Sequence, residues 1–257
     1  MKIGIIGTES THARAFAEIC EGYHIETVTD NFLKAEGDLD GVMIVTRDGN
    51  THKNLAMPFV EAGIPLWIDK PIAVRADEAE ELLSLARTKG CLVTGGSTCK
   101  FAPDILSLAE KVQSGAFGEI RSAMLNFPIM LDSPYNGIHF YGHHLAEMML
   151  TVFGYTMRKV MAFEKNGGIV CIARYDRFDA VMNFQPGVMG YYATVLGTKA
   201  QIARPLDLSA IYQNGVDAYL QMLKTKKEPV SHQNLIFPVK LVGAIEKSYM
   251  ENREISL

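Results

Sequence analysis

KIGIIGTESTHARAFAEIC, residues 2–20, carries the strongest fold signal in the chain. The apolar run from Lys2 to Ile6 stops at Gly7, and Thr8 to Thr11 then supply residues of the kind that cap helices. From Ala13 to Cys20, the residues Ala13, Phe16, Ala17 and Cys20 recur on one helical face. The segment reads as a buried strand, a tight turn and a helix.

The same alternation continues along the chain. Strands are expected at Ile25–Thr29, ending at Asp30, at Gly41–Thr46, at Pro65–Ile68, ending in Asp69-Lys70-Pro71, and at Cys91–Thr94. Between them lie helices at Lys53–Ala62, closed by Gly63, and at Ala76–Lys89, closed by Gly90. Strands alternating with helices through short loops predict a parallel sheet with helices on both faces. Pro103–Ser114 is a further helix that bridges to a second region. After Glu119 the pattern becomes strands in series: Ile120–Phe127, Lys159–Glu164, Gly168–Tyr175, Ala180–Phe184, Met189–Leu196 and Ala200–Ile202, with Gly137–Phe153 as the main helix. The expectation is an α/β domain over residues 1–118 and an α+β domain with a mainly antiparallel open sheet over residues 119–257. Ala180 to Thr198 carries no charge, but Pro186-Gly187 interrupts it, so it reads as a hairpin rather than a membrane span.

Composition narrows the function classes. Of 257 residues 48% are hydrophobic and 21% charged, with a net charge of -4, which excludes a disordered chain and a general nucleic-acid binder. Cys20, Cys91, Cys99 and Cys171 form no CxxC pair and read as reduced, buried thiols. Met1 runs straight into a strand pattern without a leader, so a cytoplasmic location is expected.

A strand ending in glycine and feeding a helix is the dinucleotide-binding layout, in which the helix N-terminus stabilises a pyrophosphate. With Gly7 as the first glycine, Glu9 and His12 occupy the other two glycine positions. Thr8, Ser10 and Thr11 remain as hydroxyl donors. Asp30 stands where an acid holds the ribose hydroxyls of NAD and disfavours NADP. Thr46-Arg47-Asp48-Gly49-Asn50-Thr51-His52 follows a strand's carboxyl end, where ligands bind in open α/β sheets, with Asn50 or Thr51 as a helix cap. Lys70 is placed to stabilise an alkoxide or polarise a carbonyl. In the second region His139, His143 and Glu147 recur at i, i+4 and i+8 and share one helical face. Two imidazoles and a carboxylate suit acid–base work, with a metal-assisted lyase or hydrolase as an alternative.

Taken with its surroundings, Asp69-Lys70-Pro71 resembles the Gfo/Idh/MocA oxidoreductases. The resemblance rests on Asp40 to Thr46 with Asn50-Thr51-His52, on Ala62 to Ala73, on Glu78 to Leu82, on Gly115 to Ile120, on Gly197 to Ala200 and on Pro229 to Ser248. It implies a Rossmann-type first domain and hydride transfer between NAD or NADP and a sugar or polyol carbon, with Asp30 favouring NAD. Lys70 would contact both substrate and nicotinamide, His139 would be the acid–base histidine, and Gly7, Thr8, Ser10, Thr11, Asp30, Thr46, His52 and Asp69 would line the cofactor. The resemblance also implies a homodimer or homotetramer joined through the second sheet. Several positions depart from the family: Glu9 and His12 in the loop, Asp69 for glutamate, Gly142 for an acidic residue, and Tyr135 where polyol dehydrogenases have an aspartate. The segment from Asp30 to Asp38 is too short for the usual helix. Tyr135 and His143 are the candidates to replace the missing aspartate. No metal is assigned on this reading. A relative that binds a sugar or nucleotide without turning it over is the other alternative.

Overall fold

The computed structural model describes residues 1–30, 33–35, 38–188 and 190–257. Met189, the expected start of a strand, and part of the short segment between Asp30 and Asp38 lie outside the described residues. The chain divides into two units, Met1–Thr98 with Ala210–Val239, and Cys99–Ser209 with Lys240–Leu257.

The first unit is built on five parallel strands: β1 (Lys2–Ile6), β2 (Glu26–Thr29), β3 (Gly41–Ile44), β4 (Leu66–Asp69) and β5 (Val93–Gly96). Their order is β2-β1-β3-β4-β5. The near-continuous apolar runs of β1, β3 and β4 are buried along their length, as a sheet covered on both faces requires. Helix α1 (Thr11–Gly22) is capped by Ser10, whose side chain accepts from the His12 backbone N–H, and it buries Ala13, Phe16 and Cys20. Helices α2 (His52–Glu61) and α3 (Ala76–Lys89) follow, and Gly90 ends α3 in the left-handed conformation, as expected. The four cysteines are buried. Burial pushes the Cys20 thiol up to about 11 and the Cys91 thiol, beside Glu228, up to about 12, so both stay protonated.

The second unit contains α4 (Pro103–Gln113), β6 (Ile120–Pro128), α5 (Ile138–Phe153), β7 (Lys159–Lys165), β8 (Gly168–Arg174), β9 (Asp179–Gln185), β10 (Tyr192–Gly197) and β11 (Gln201–Pro205). Its seven strands run in the order β11-β10-β6-β9-β8-β7-β12, where β12 is Ile255–Ser256. Among the described residues only the β6–β9 pair of this sheet is parallel. The expected hairpin at Pro186-Gly187 does not form: β9 and β10 flank β6, each pairing with it rather than with the other. Pairing with β6 lets both strands point Ala123, Leu125 and Phe127, with Ala180, Met182, Phe184, Ala193 and Val195, into one core. Helix α5 packs on this face. Among the described residues no helix is long and apolar enough to cross a membrane.

The units differ from the expected split at 118/119 because the chain returns. Helix α4 goes with the second unit, where it packs on α5. Two helices beyond the sequence pattern, α6 (Ile211–Thr225) and the start of α7 (His232–Glu251), complete the first unit. Tyr219 of α6 is fully buried and donates its hydroxyl to the carbonyls of Val42 (3.2 Å) and Pro65 (3.0 Å). Gly41 leaves the room for it, since a Cβ there would lie 2.2 Å from the Tyr219 oxygen. Beyond α6, Glu228 accepts from the Val93 backbone N–H at 2.9 Å.

Candidate active site

Parallel pairing brings the carboxyl ends of the first unit's strands to one edge. There stand Gly7 after β1, Asp30 after β2, Thr46 after β3, and Asp69 and Lys70 at the end of β4. The order reverses between β1 and β3, the position where open α/β sheets bind ligands. Gly7 has φ +106°, and a Cβ on it would lie 2.4 Å from the Thr46 backbone nitrogen, so only glycine fits. Thr8, Glu9 and Thr11 are exposed and Ser10 is buried as the cap. The Glu9 carboxylate accepts from the Arg47 N–H at 3.3 Å, turned onto the loop after β3. Asp30 is exposed, its own N–H bonded to the Ile5 carbonyl at 3.1 Å.

The loop after β3 is braced. Asp48 caps the turn at Gly49–Thr51 by accepting from Asn50 N–H, and Thr51 stands at the N-cap of α2 without a side-chain cap hydrogen bond. The hydroxyls of Thr46 and Thr51 are 2.7 Å apart. His52 is fully buried, with Nε2 at 2.9 Å from the Thr46 carbonyl and Nδ1 at 2.6 Å from that of Pro71. It ties this loop to the Asp69-Lys70-Pro71 turn. Asp69 and Lys70 are buried, 3% and 5% exposed. His12 Nδ1 lies 2.9 Å from Asp69 Oδ2. Burial works to raise the Asp69 carboxyl, yet the charge and hydrogen bond of His12, with Lys70 and His52 adding, hold it below the usual carboxylate range.

The second unit carries its candidates on α5. His139 and His143 are buried with ring centroids 6.0 Å apart. His139 Nε2 lies 3.2 Å from Glu246 Oε2 on α7, and its Nδ1 is buried without a hydrogen-bond partner among the described residues. The hydrogen bond from His139 holds the half-buried Glu246 carboxyl below its ordinary value. Tyr135 does not join them: its ring packs on Phe140, at 5.1 Å, and its N–H donates to Ser133 Oγ. Glu147, third in the helical row, forms a buried ion pair with Lys100 rather than a third ligand beside the histidines. Among the described residues no three His, Cys, Asp or Glu groups converge in a way that suits a metal ion. Sequence spacing misses three partners. Lys100 and Glu246 come from 47 and 107 residues away, beyond any local signal. His12 leaves one trace, an imidazole at a glycine position.

Residues 1–97 match the family model described as the oxidoreductase family with an NAD-binding Rossmann fold, GFO_IDH_MocA. Over this segment the chain is similar to that family. The relatives include an uncharacterized oxidoreductase of Schizosaccharomyces pombe, 23% identical over 225 residues, which are 83% of this chain and 59% of that protein. The inositol 2-dehydrogenase of Rhizobium meliloti strain 1021 is 24% identical over 116 residues, 45% of this chain and 35% of the enzyme. The chain therefore spans under two thirds of the length of either relative. A myo-inositol dehydrogenase structure from Corynebacterium glutamicum superposes with a TM-score of 0.83 at 14% identity, covering 100% of this chain and 98% of that one. The two chains share a fold.

The residues present are compatible with a bound dinucleotide, the ligand class of the matching family model. Gly7 keeps the turn tight, the N-terminus of α1 offers backbone N–H groups with Thr8 and Thr11 beside it, and Asp69 Oδ1 is a buried acceptor with no hydrogen-bond partner among the described residues.

Proposed function

We propose that the protein is an NAD-dependent oxidoreductase acting on a sugar or polyol. The observation that carries this reading is the row Gly7, Asp30, Thr46, Asp69 and Lys70 along one sheet edge, in a segment matching an NAD-binding family. Asp30, exposed at the end of β2, favours the ribose hydroxyls of NAD over the extra phosphate of NADP. When bound, the nicotinamide supplies the hydride acceptor. Lys70 stabilises the negative charge that develops on the substrate oxygen, and His139 takes the hydroxyl proton. Glu246, and not Tyr135, holds the His139 ring, with His143 beside it.

A homo-oligomer joined through the second sheet belongs to the same reading. The sheet face opposite α5 presents Met124, Val181, Ile172 and Met161 in one cross-strand row, and exposed Val170 and Phe163 in the next. A cytoplasmic location fits four buried, unbridged cysteines.

The test is binding of NADH and NADPH by fluorescence, followed by turnover with NAD across a panel of inositols and sugars. NADH binding and turnover are expected. Binding of neither dinucleotide overturns the reading. Binding with no hydride transfer to or from any polyol makes the protein a ligand-binding relative.

A further inference from the structure

His139 stands in the first turn of α5, and that turn holds no acidic residue. A helix N-terminus disfavours a cation, so an imidazolium formed there needs a carboxylate from elsewhere. Tyr135 packs its ring on Phe140 and offers no charge. Glu246 offers one from α7, with Oε2 at 3.2 Å from His139 Nε2. The two helices approach closely here: a Cβ built on Gly142 of α5 would lie 3.6 Å from Val242 Cγ1, one turn before Glu246 on α7.

The two nitrogens of the ring are not equivalent. An ionised carboxylate only accepts, so Nε2 carries the proton and Nδ1 holds the lone pair. Nδ1 is buried and has no hydrogen-bond partner among the described residues, and the residue as a whole is 6% exposed. A buried acceptor left unpaired costs stability, and a bound hydroxyl removes that cost. The Glu246 side chain is 39% exposed, so the carboxylate keeps contact with water while the ring does not.

We propose that Glu246 is the positioning residue of His139: it fixes the ring proton on Nε2 and leaves Nδ1 as the base that takes the substrate's hydroxyl proton. This rests on the oxidoreductase reading above, in which His139 is the acid–base group. In the oxidation the hydroxyl proton passes to Nδ1, the carbon's hydride leaves to the oxidised nicotinamide, and a carbonyl forms on the substrate. The ring becomes an imidazolium with an N–H on each side, and Glu246 stays ionised next to it. Without the carboxylate, the helix end opposes that charge unanswered. The neutral ring can then also carry its proton on Nδ1, where it has no lone pair to act as a base. Glu246 acts through the ring and not on the substrate.

The experiment joins a spectroscopic readout to kinetics, both on the full chain. With the histidine nitrogens labelled, nitrogen–proton correlation spectra at about pH 8.5, where an ordinary imidazole is neutral, report which nitrogen carries the proton. His139 is expected in the Nε2-protonated form. Glu246→Gln, whose amide both donates and accepts, is expected to shift it toward the Nδ1-protonated form. In the same variant kcat with NAD and the best polyol is expected to fall about a hundredfold, with KM changed less than about twofold. Glu246→Asp keeps the charge and is expected to recover part of that loss. A parent ring protonated on Nδ1 overturns the proposal, and this spectrum decides even should Glu246→Gln not fold. A folded Glu246→Gln protein with unchanged kcat overturns it as well. A parent that neither binds NADH nor oxidises any polyol instead overturns the NAD reading, since the tautomer is read without cofactor.

Discussion

The first unit gathers its polar residues at the ends of strands, and the second strings them along one helix. In the first, Gly7, Asp30, Thr46 and Lys70 are far apart in sequence, yet each follows closely on a strand, and parallel pairing brings them to a common edge. In the second, His139, His143 and Glu147 are close in sequence, but charged partners arrive from elsewhere in the chain: Lys100 for Glu147 and Glu246 for His139. A parallel sheet therefore specifies which groups meet, whereas a helical row specifies only a face. The pairing along α5 is a tertiary matter, and its charges are tied to stability.

The contrast breaks most sharply at Lys100 and Glu147. Glu147→Gln strips the carboxylate from a buried ammonium and is expected to cost about 3–5 kcal/mol in denaturant unfolding, while Lys100→Met with Glu147→Leu recovers most of it. A single substitution that unfolds like the parent would show that this pair carries no such burden. Lys70→Ala should instead act on rate. Turnover is expected to fall about a hundredfold, equivalent to about 2.7 kcal/mol of barrier, with NADH binding changed much less. Steady-state kinetics beside a binding titration separates the two.

Much of the fold is legible because its signals are local. Helix α3 is bounded at Ala76 and Lys89 by its amphipathic face and Gly90, and the apolar runs of β3 and β4 admit little but buried strands. The hairpin misreading at Pro186-Gly187 has the opposite cause. A turn signal says that the chain reverses, but the neighbour of each strand is set by a pairing with β6, far back in the sequence. The row of cofactor positions is legible at the strand ends. The acids and bases that hold His12, Glu147 and His139 are not, because no period connects them.

Smaller effects refine the comparison. Tyr219→Phe removes one hydroxyl shared by the carbonyls of Val42 and Pro65 and is expected to lower stability by about 1 kcal/mol, read as a shift in denaturant midpoint at constant slope. The Glu246 carboxyl is held below its unfolded value by His139, so its contribution is present above the ordinary glutamate range and is lost as pH falls through the depressed folded value. Glu246→Gln should flatten that acid limb of a stability-versus-pH curve by less than about 1 kcal/mol, since the group is half exposed.

The Tyr219–Gly41 fit also sets a timetable for synthesis. Residues 1–98 emerge first, but the side chain that seals the gap at Gly41 follows only after most of the second unit has been made. A nascent chain stalled after β11 therefore holds a parallel sheet whose last covering helix does not yet exist. The second unit waits in turn for Lys240–Leu257, which supply Glu246 and β12. The first unit can close only once Val239 has left the ribosome, and α7, one continuous helix, delivers closing residues to both.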